Sequence, residues 1–311
     1  MICATQKAIM AFLLFSQMKC SLLFLLTALV ISDSIGESEA ARILGAFQFN
    51  GKSHFMMIQP LLIGLAERGH QVYVLGHIPL NKPIPNYTDI SLEGSVPGVF
   101  NSLSVTSALE FGQYSTLLSF FYKRVTEMCQ TVLEHPKVQN LIKSNDTFDL
   151  VITEILGPDC MNAFSYHFNA PIISIISSVI LPWGNDRVGN PDHPAYIPNY
   201  FLPYSHHMTF GQRLVNTVAT EVLKLGFYVF AELPTDKMLK KHFGKDVPPL
   251  SELKRRTSLI LVNSHFSLNN PRPTVPGFIE VGGMHIQSNG ILPKVMYDYG
   301  VRHETVYRIR N

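Results

Sequence analysis

From Arg42 onward, short apolar runs alternate with stretches whose apolar residues recur at helical spacing. Short apolar runs bounded by turn residues indicate buried strands, and apolar positions three and four residues apart indicate amphipathic helices. The predicted strands cover residues 42–49, 70–77, 148–154, 171–178, 258–263 and 278–282. Strands separated by helical stretches predict an α/β fold with a doubly wound, mostly parallel sheet.

The first predicted helix runs from His54 to Arg68 and ends before Gly69. Pro60 is expected to interrupt this helix or to mark its true beginning, which would leave residues 52–59 partly irregular. Further predicted helices cover 105–143, with an interruption near His135-Pro136, then 158–168 and 208–233. The stretches 79–104 and 182–204 have loop composition. We expect the strongly apolar part of the last helix, 222–233, to lie in the core, with contact to a membrane surface as the alternative.

The first forty residues differ from the rest of the chain. Lys19 precedes an apolar run over 21–31, and small and polar residues follow. This pattern predicts a secretory signal peptide within residues 1–40, because the apolar run is short for a membrane span. Met18 is a second candidate start.

The composition of the chain limits its expected binding partners and its cellular compartment. The chain has 311 residues, 46% of them hydrophobic, and a formal net charge of +2. A chain of this length and composition can build a large core. Because it has no run rich in Lys and Arg, nucleic acid is not an expected partner. Asn86 and Asn145 head two N-glycosylation sequons, consistent with a secretory lumen. Behind the predicted signal, Cys129 and Cys160 could pair or stay free, and the sequence leaves both states open.

The segment after the first strand carries Gly51, Lys52, Ser53 and His54, at the sheet edge where open α/β folds bind ligands. A phosphate site is disfavoured, because this segment has one glycine and no dinucleotide or P-loop pattern. A metal site is disfavoured, because no H-x-x-x-H or C-x-x-C spacing occurs near His54. A catalytic base is the third interpretation, and it requires a carboxylate to fix the histidine tautomer.

Two carboxylates are candidates for that partner. Glu154 ends a predicted strand and Asp159 lies in the loop that follows, at the same sheet edge as His54. Both could instead serve as favourable charges at a helix N-terminus, and His54 could be a capping or buried histidine. Asp149 is less suitable, because it lies too early on the strand to face this edge.

Several stretches resemble one family. The chain is similar to the N-terminal half of UDP-glycosyltransferases, above all to the insect membrane-bound enzymes of the UDP-glucuronosyltransferase family. The similar stretches are 42–47, 51–55, 65–72, 82–87, 148–154, 261–265 and 276–286, and the resemblance extends over roughly residues 42–294.

The resemblance implies a GT-B glycosyltransferase, in which two Rossmann-like domains face a cleft and the N-terminal domain binds a small lipophilic acceptor. His54 would deprotonate the acceptor hydroxyl, and the acceptor oxygen would attack the anomeric carbon with inversion and loss of UDP. The family's orienting aspartate corresponds to Glu154 in an ungapped comparison, or to Asp159 if the loop is displaced. The reaction would need no metal and no cofactor beyond the UDP-sugar co-substrate, UDP-glucose or UDP-glucuronate.

The resemblance also suggests which residues contact the acceptor and where the protein resides. The candidate contacts are Phe49, Ser53, Phe55, Phe111, Tyr114 and Trp183. A detoxification-type enzyme of the endoplasmic reticulum lumen or membrane is implied, with association with other transferase chains as a further expectation.

The resemblance ends after Lys294, and residues 295–311 show no strand–helix rhythm. We therefore expect a Rossmann-like acceptor-binding domain over 41–286 and a linker with a divergent tail over 287–311, without a donor domain. Two hypotheses follow: a truncated N-terminal half of a transferase, or a non-catalytic acceptor-binding or regulatory fragment that associates with full-length transferases.

Overall fold

The computed structural model describes residues 40–98 and 120–286, so most of the predicted signal peptide and the predicted tail lie outside it. The strands are β1 (Arg42–Ala46), β2 (Gln71–Gly76), β3 (Tyr87–Ser91), β4 (Leu150–Glu154), β5 (Ile172–Ile176), β6 (Thr257–Val262) and β7 (Phe278–Glu280). The helices are α1 (Lys52–Glu67), α2 (Val125–Glu134), α3 (Pro136–Lys143), α4 (Ala163–His167), α5 (Phe210–Phe227), α6 (Leu233–Phe243), α7 (Leu250–Leu253) and α8 (Phe266–Asn269).

The seven strands form one parallel sheet in the order β3-β2-β1-β4-β5-β6-β7. Neighbouring residues of β1 lie in two different hydrophobic clusters, one on each face of the sheet. Ile43 belongs to the cluster formed with the apolar face of α1, and Leu44 to the cluster formed with residues of α2, α4 and α6. Both faces of the sheet are therefore covered by helices, as parallel sheets require. The predicted doubly wound parallel α/β fold is confirmed.

The strand order reverses at β1. The chain first extends the sheet to β3 on one side, and then returns to place β4 on the other side of β1. The loops that leave the carboxyl ends of β1 and β4 therefore diverge to opposite sides and open a crevice, which is where doubly wound sheets bind ligands.

The start of α1 differs from the prediction. Residues 52–59 are helical rather than irregular, and α1 continues through Pro60 to Glu67. A proline inside a helix removes one N–H donor and costs about 3 kcal/mol. The apolar face of α1 offsets this cost by burial. Its buried residues are Phe55, Met57, Ile58, Leu62 and Ala66.

Other differences are local. The loop predicted over 79–104 contains β3, a short edge strand whose polar residues masked its pattern, while 99–104 lie outside the described residues. The interruption near His135 is confirmed, because α2 ends there and Pro136 begins α3. The helix predicted over 158–168 is reduced to a short 3₁₀ turn, Cys160–Asn162, followed by α4.

The apolar helix predicted over 208–233 also differs from the prediction. It is longer than predicted, since α5, a π-helical turn (Tyr228–Glu232) and α6 follow without a break. Phe210–Phe243 is long and apolar enough to cross a membrane by length and composition, and 28% of its most apolar window is buried. Within 222–233, Leu223 and Phe227 are buried, but Val222, Leu225 and Phe230 are 61%, 64% and 63% exposed. The expectation of a core helix therefore holds for one face of α5 only.

Candidate active site

Three neighbouring strands bring polar side chains to the crevice. His54 lies in the first turn of α1, which follows β1, and Glu154 is the last residue of β4. Ser177 comes directly after β5, the next strand in the sheet. Because the carboxyl ends of parallel strands meet at one edge, residues far apart in the sequence become neighbours there.

His54 and Glu154 are in direct contact. The distance between Nδ1 of His54 and Oε1 of Glu154 is 2.5 Å, and the two side chains are 25% and 2% exposed. Burial disfavours the charged imidazolium, but the negative charge of Glu154 and its hydrogen bond outweigh this effect and raise the pKa of His54 above its ordinary value. A buried carboxylate at Nδ1 requires the proton on that nitrogen, and Nε2 is then the basic atom.

The structure does not bring Asp159 to His54. The Asp159 carboxylate is buried and forms an ion pair with the guanidinium of Arg187, whose side chain is fully buried. Arg187 also donates from Nη1 to the backbone carbonyl of Trp183 at 2.6 Å. Asp159 therefore connects two loops of the protein interior, and the alternative that it orients His54 is wrong because its carboxylate is directed at Arg187.

Ser177 was not identified from the sequence. Its Oγ lies 2.8 Å from Nδ1 of His54, on the same nitrogen that Glu154 contacts. A serine at a predicted strand end is too common to attract attention by itself. The available signal was its place at the carboxyl end of a strand in the same sheet as His54.

The three candidate acceptor contacts near His54 have different surroundings. Phe49 packs edge-on against the His54 ring, with 4.7 Å between centroids. Gly51 makes this possible, because a Cβ at that position would lie 2.2 Å from the Phe49 ring. Ser53 is exposed beside His54. Phe55 is 5% exposed and packs against Phe47 in the core, so the structure does not support it as an acceptor contact.

Trp183 is also a core residue. It is 3% exposed and stacks on Phe227 with 4.3 Å between ring centroids, and Tyr122 packs against both rings. Its predicted contact with an acceptor is not supported, because the side chain is buried and Phe227 stacks on its ring. Phe111 and Tyr114 lie outside the described residues.

The structure places the cysteines and sequons as well. Cys129 of α2 and Cys160 form a disulfide, which decides the question that the sequence left open. Asn145 is exposed in the loop before β4. Asn86 lies in a turn with φ 61°, and its side-chain amide donates to the carbonyl of Ala66 at 3.3 Å. Glycosylation at either site stays a prediction.

Within residues 40–98 and 120–286, no group of three or more His, Cys, Asp or Glu side chains could hold a metal ion. The side chains that meet at the crevice are His54, Glu154 and Ser177. These side chains can accept and hold a proton at Nε2 of His54.

The fold and this site define a class: a parallel α/β protein with a carboxylate-paired histidine at its topological switch point. The family model UDPGT, "UDP-glucoronosyl and UDP-glucosyl transferase", matches residues 85–303. The chain belongs to this family, in agreement with the resemblance found in the sequence. The seven-stranded parallel sheet agrees with the Rossmann-like, doubly wound fold that the resemblance to this family implies.

Individual relatives agree. The chain is 34% identical over 277 residues to UDP-glucosyltransferase 2 of Dactylopius coccus, with 86% of this chain and 52% of that protein covered. It is 36% identical over 278 residues to UDP-glycosyltransferase UGT5 of the same organism, with 86% and 51% covered. The chain thus spans about half the length of the curated relatives that it matches. Among solved structures, Medicago truncatula UGT71G1 complexed with UDP-glucose is 15% identical with a TM-score of 0.42, covering 84% of this chain and 56% of that chain.

Proposed function

We propose that this chain provides the acceptor-binding half of an inverting, metal-independent UDP-glycosyltransferase, with His54 as the general base. The observation that carries the proposal is the contact between Nδ1 of His54 and the buried Glu154 at the switch point of the sheet. Membership of the family supplies the reaction type.

The proposed step uses the free nitrogen of His54. Nε2 takes the proton of an acceptor hydroxyl, and the oxygen forms a bond to the anomeric carbon of a UDP-bound hexose, glucose or glucuronic acid. The bond from that carbon to the diphosphate oxygen breaks, and UDP leaves with the electron pair. Glu154 stabilises the imidazolium that forms and keeps Nδ1 protonated throughout.

The acceptor is proposed to be a small lipophilic molecule with a hydroxyl, phenol or acid group. Support comes from the resemblance to the family, which implies a lipophilic acceptor beside His54. The donor site is proposed to lie in a second domain that faces this crevice.

We further propose that the protein works in the lumen of the endoplasmic reticulum. The buried Cys129–Cys160 disulfide supports this proposal, because structural disulfides persist in oxidising compartments and are rare in the cytosol. Cleavage of the predicted signal and glycosylation at Asn145 are parts of the same proposal.

The test joins this chain to the donor half of a family member and measures glucosyl and glucuronosyl transfer to a phenol. His54→Ala should lower kcat by about 10²- to 10⁴-fold, because a positioned general base contributes that much. His206→Ala, at an exposed histidine, is the matched control and should retain full turnover. Near-normal turnover of His54→Ala would contradict the assignment of the base.

A further inference from the structure

The base of the proposed reaction has two partners on one nitrogen. Nδ1 of His54 lies 2.5 Å from Oε1 of Glu154 and 2.8 Å from Oγ of Ser177. The carboxylate alone would meet the need for a tautomer-fixing partner, so the hydroxyl is an additional contact that the base mechanism does not account for.

The position of the Nδ1 proton determines whether the Ser177 hydroxyl donates or accepts the hydrogen bond with His54. Nδ1 carries at most one proton, and an ionised carboxylate can only accept a hydrogen bond. The Nδ1–H therefore points towards Glu154, and the Ser177 oxygen at the same nitrogen must be a second acceptor of that N–H. We propose that Ser177 is a positioning residue: it shares the Nδ1–H of His54 with Glu154 and thereby holds the ring with Nε2 free to take the acceptor proton. This inference rests on the proposed function.

The backbone that carries the Ser177 hydroxyl is held by the segments that follow β6 and β7. Asn263, directly after β6, donates from its backbone N–H to the carbonyl of Ile176 at 3.0 Å and from its side chain to the carbonyl of Ser177 at 2.9 Å. The Asn263 side chain in turn accepts from the backbone N–H of Gly283 at 3.3 Å. The carbonyls of Ile176 and Ser177 are therefore bound to Asn263, which is in turn held by Gly283.

The two acceptors lie on different strands. Glu154 is the last residue of β4, and Ser177 follows the last residue of β5. Two acceptors that approach Nδ1 from different strands restrict the plane of the His54 ring more than one acceptor would.

Nitrogen NMR of the full chain, labelled with ¹⁵N in histidine, tests the contact without any need for turnover. His54→Gln assigns the His54 resonances. The unsubstituted protein should show one His54 tautomer, with Nδ1 protonated. Ser177→Ala should shift and broaden the Nδ1 resonance, because the Nδ1–H loses one of its two acceptors and the ring plane is less restricted, while Glu154 keeps the proton on Nδ1.

Ser178→Ala is the matched control, since the Ser178 hydroxyl donates to the carbonyl of Val179 at 2.9 Å. It should leave the His54 spectrum unchanged. Identical His54 spectra for Ser177→Ala and the unsubstituted protein would overturn the proposal, and so would an equal effect of Ser178→Ala.

Kinetics in the chimeric enzyme separates positioning from folding. Ser177→Ala should lower kcat by about 3- to 10-fold with an acceptor KM within about twofold, the range expected for loss of one net hydrogen bond. Ser177→Thr keeps the hydroxyl and should restore most of kcat. If His54→Ala is active, the proposed function fails while the NMR result still decides the Ser177 contact. If His54→Ala is inactive but Ser177→Ala matches the unsubstituted enzyme, the positioning role fails alone.

Discussion

At the scale of single residues, the state of His54 depends on two opposing influences. Its burial lowers the pKa, and the charge and hydrogen bond of Glu154 raise it, with a net rise from 6.5. A general base must be neutral before it can accept a proton. The value of kcat/KM should therefore increase with pH through the raised pKa of His54.

Replacing Glu154 tests this balance. Glu154→Gln removes the charge and leaves the burial, so the acidic limb of the kcat/KM profile should move to lower pH. The plateau should fall by about 100-fold or more, because an amide can donate to Nδ1 and favour the wrong tautomer. Glu67→Gln, the same change at the exposed end of α1, should leave the profile unchanged. An acidic limb at the same pH in Glu154→Gln and the unsubstituted enzyme would contradict the assignment of Glu154.

At the scale of elements, α5 packs two polar side chains inward, Asn216 and Thr220, before the apolar Leu223 and Phe227 of its last turns. Asn216 is fully buried and accepts from the backbone N–H of Asn199 at 2.8 Å, while its amide donates to the carbonyls of Pro194 and Ile197 at 2.7 and 2.9 Å. The opposite side exposes apolar residues, including Leu214 at 56% and Val218 at 54%. The inward side satisfies loop backbone groups that have no strand or helix to pair with.

On this helix, loss of a buried polar side chain should therefore lower the free energy of unfolding more than loss of an exposed apolar side chain. Asn216→Ala should lower the free energy of unfolding by about 2–4 kcal/mol, because it leaves buried backbone groups of the loop without hydrogen-bond partners. Leu214→Gln, at an apolar but exposed position of the same helix, should change it by less than about 0.5 kcal/mol. Urea denaturation of the two variants gives the comparison. A larger loss from Leu214→Gln than from Asn216→Ala would show that the outer side of α5 is covered in solution.

At the scale of the whole molecule, the Cys129–Cys160 disulfide connects α2 to the segment after β4, across a sequence separation of 31 residues. Closing a loop of that size restricts the unfolded chain and stabilises the fold by about 3–4 kcal/mol in the chain-entropy model. The bond also ties a layer of helices to the loop that follows Glu154.

The double variant Cys129→Ala/Cys160→Ala should therefore unfold at a clearly lower urea concentration, with a loss of about 3–4 kcal/mol. Reduction of the unsubstituted protein with a thiol should produce a similar loss without any change of side chain. The double variant should not respond to the thiol. A urea midpoint that is insensitive to both treatments would mean that the two cysteines are not bonded in solution.

The sequence was sufficient where a pattern repeats along the chain. Alternating apolar runs and helical stripes were enough to predict the parallel α/β class, the two-sided core and most strand positions. Strands that are buried on both faces of a sheet appear in the sequence as short apolar runs between amphipathic helices. The pattern missed β3, whose residues are mostly polar, and misjudged Pro60, because the packing of the rest of α1 outweighs one lost hydrogen bond. His54 could be singled out because it follows the first strand, at the edge where ligands bind.

Only the tertiary structure decided which side chains meet. Glu154 rather than Asp159 reaches His54, Ser177 joins them, Cys129 bonds to Cys160, and Asn216 of α5 faces inward. These outcomes depend on distances between residues far apart in the sequence and on which buried polar groups need partners. A linear pattern records whether a residue is suited to burial, but the partner it meets there is set by the packing of the whole chain.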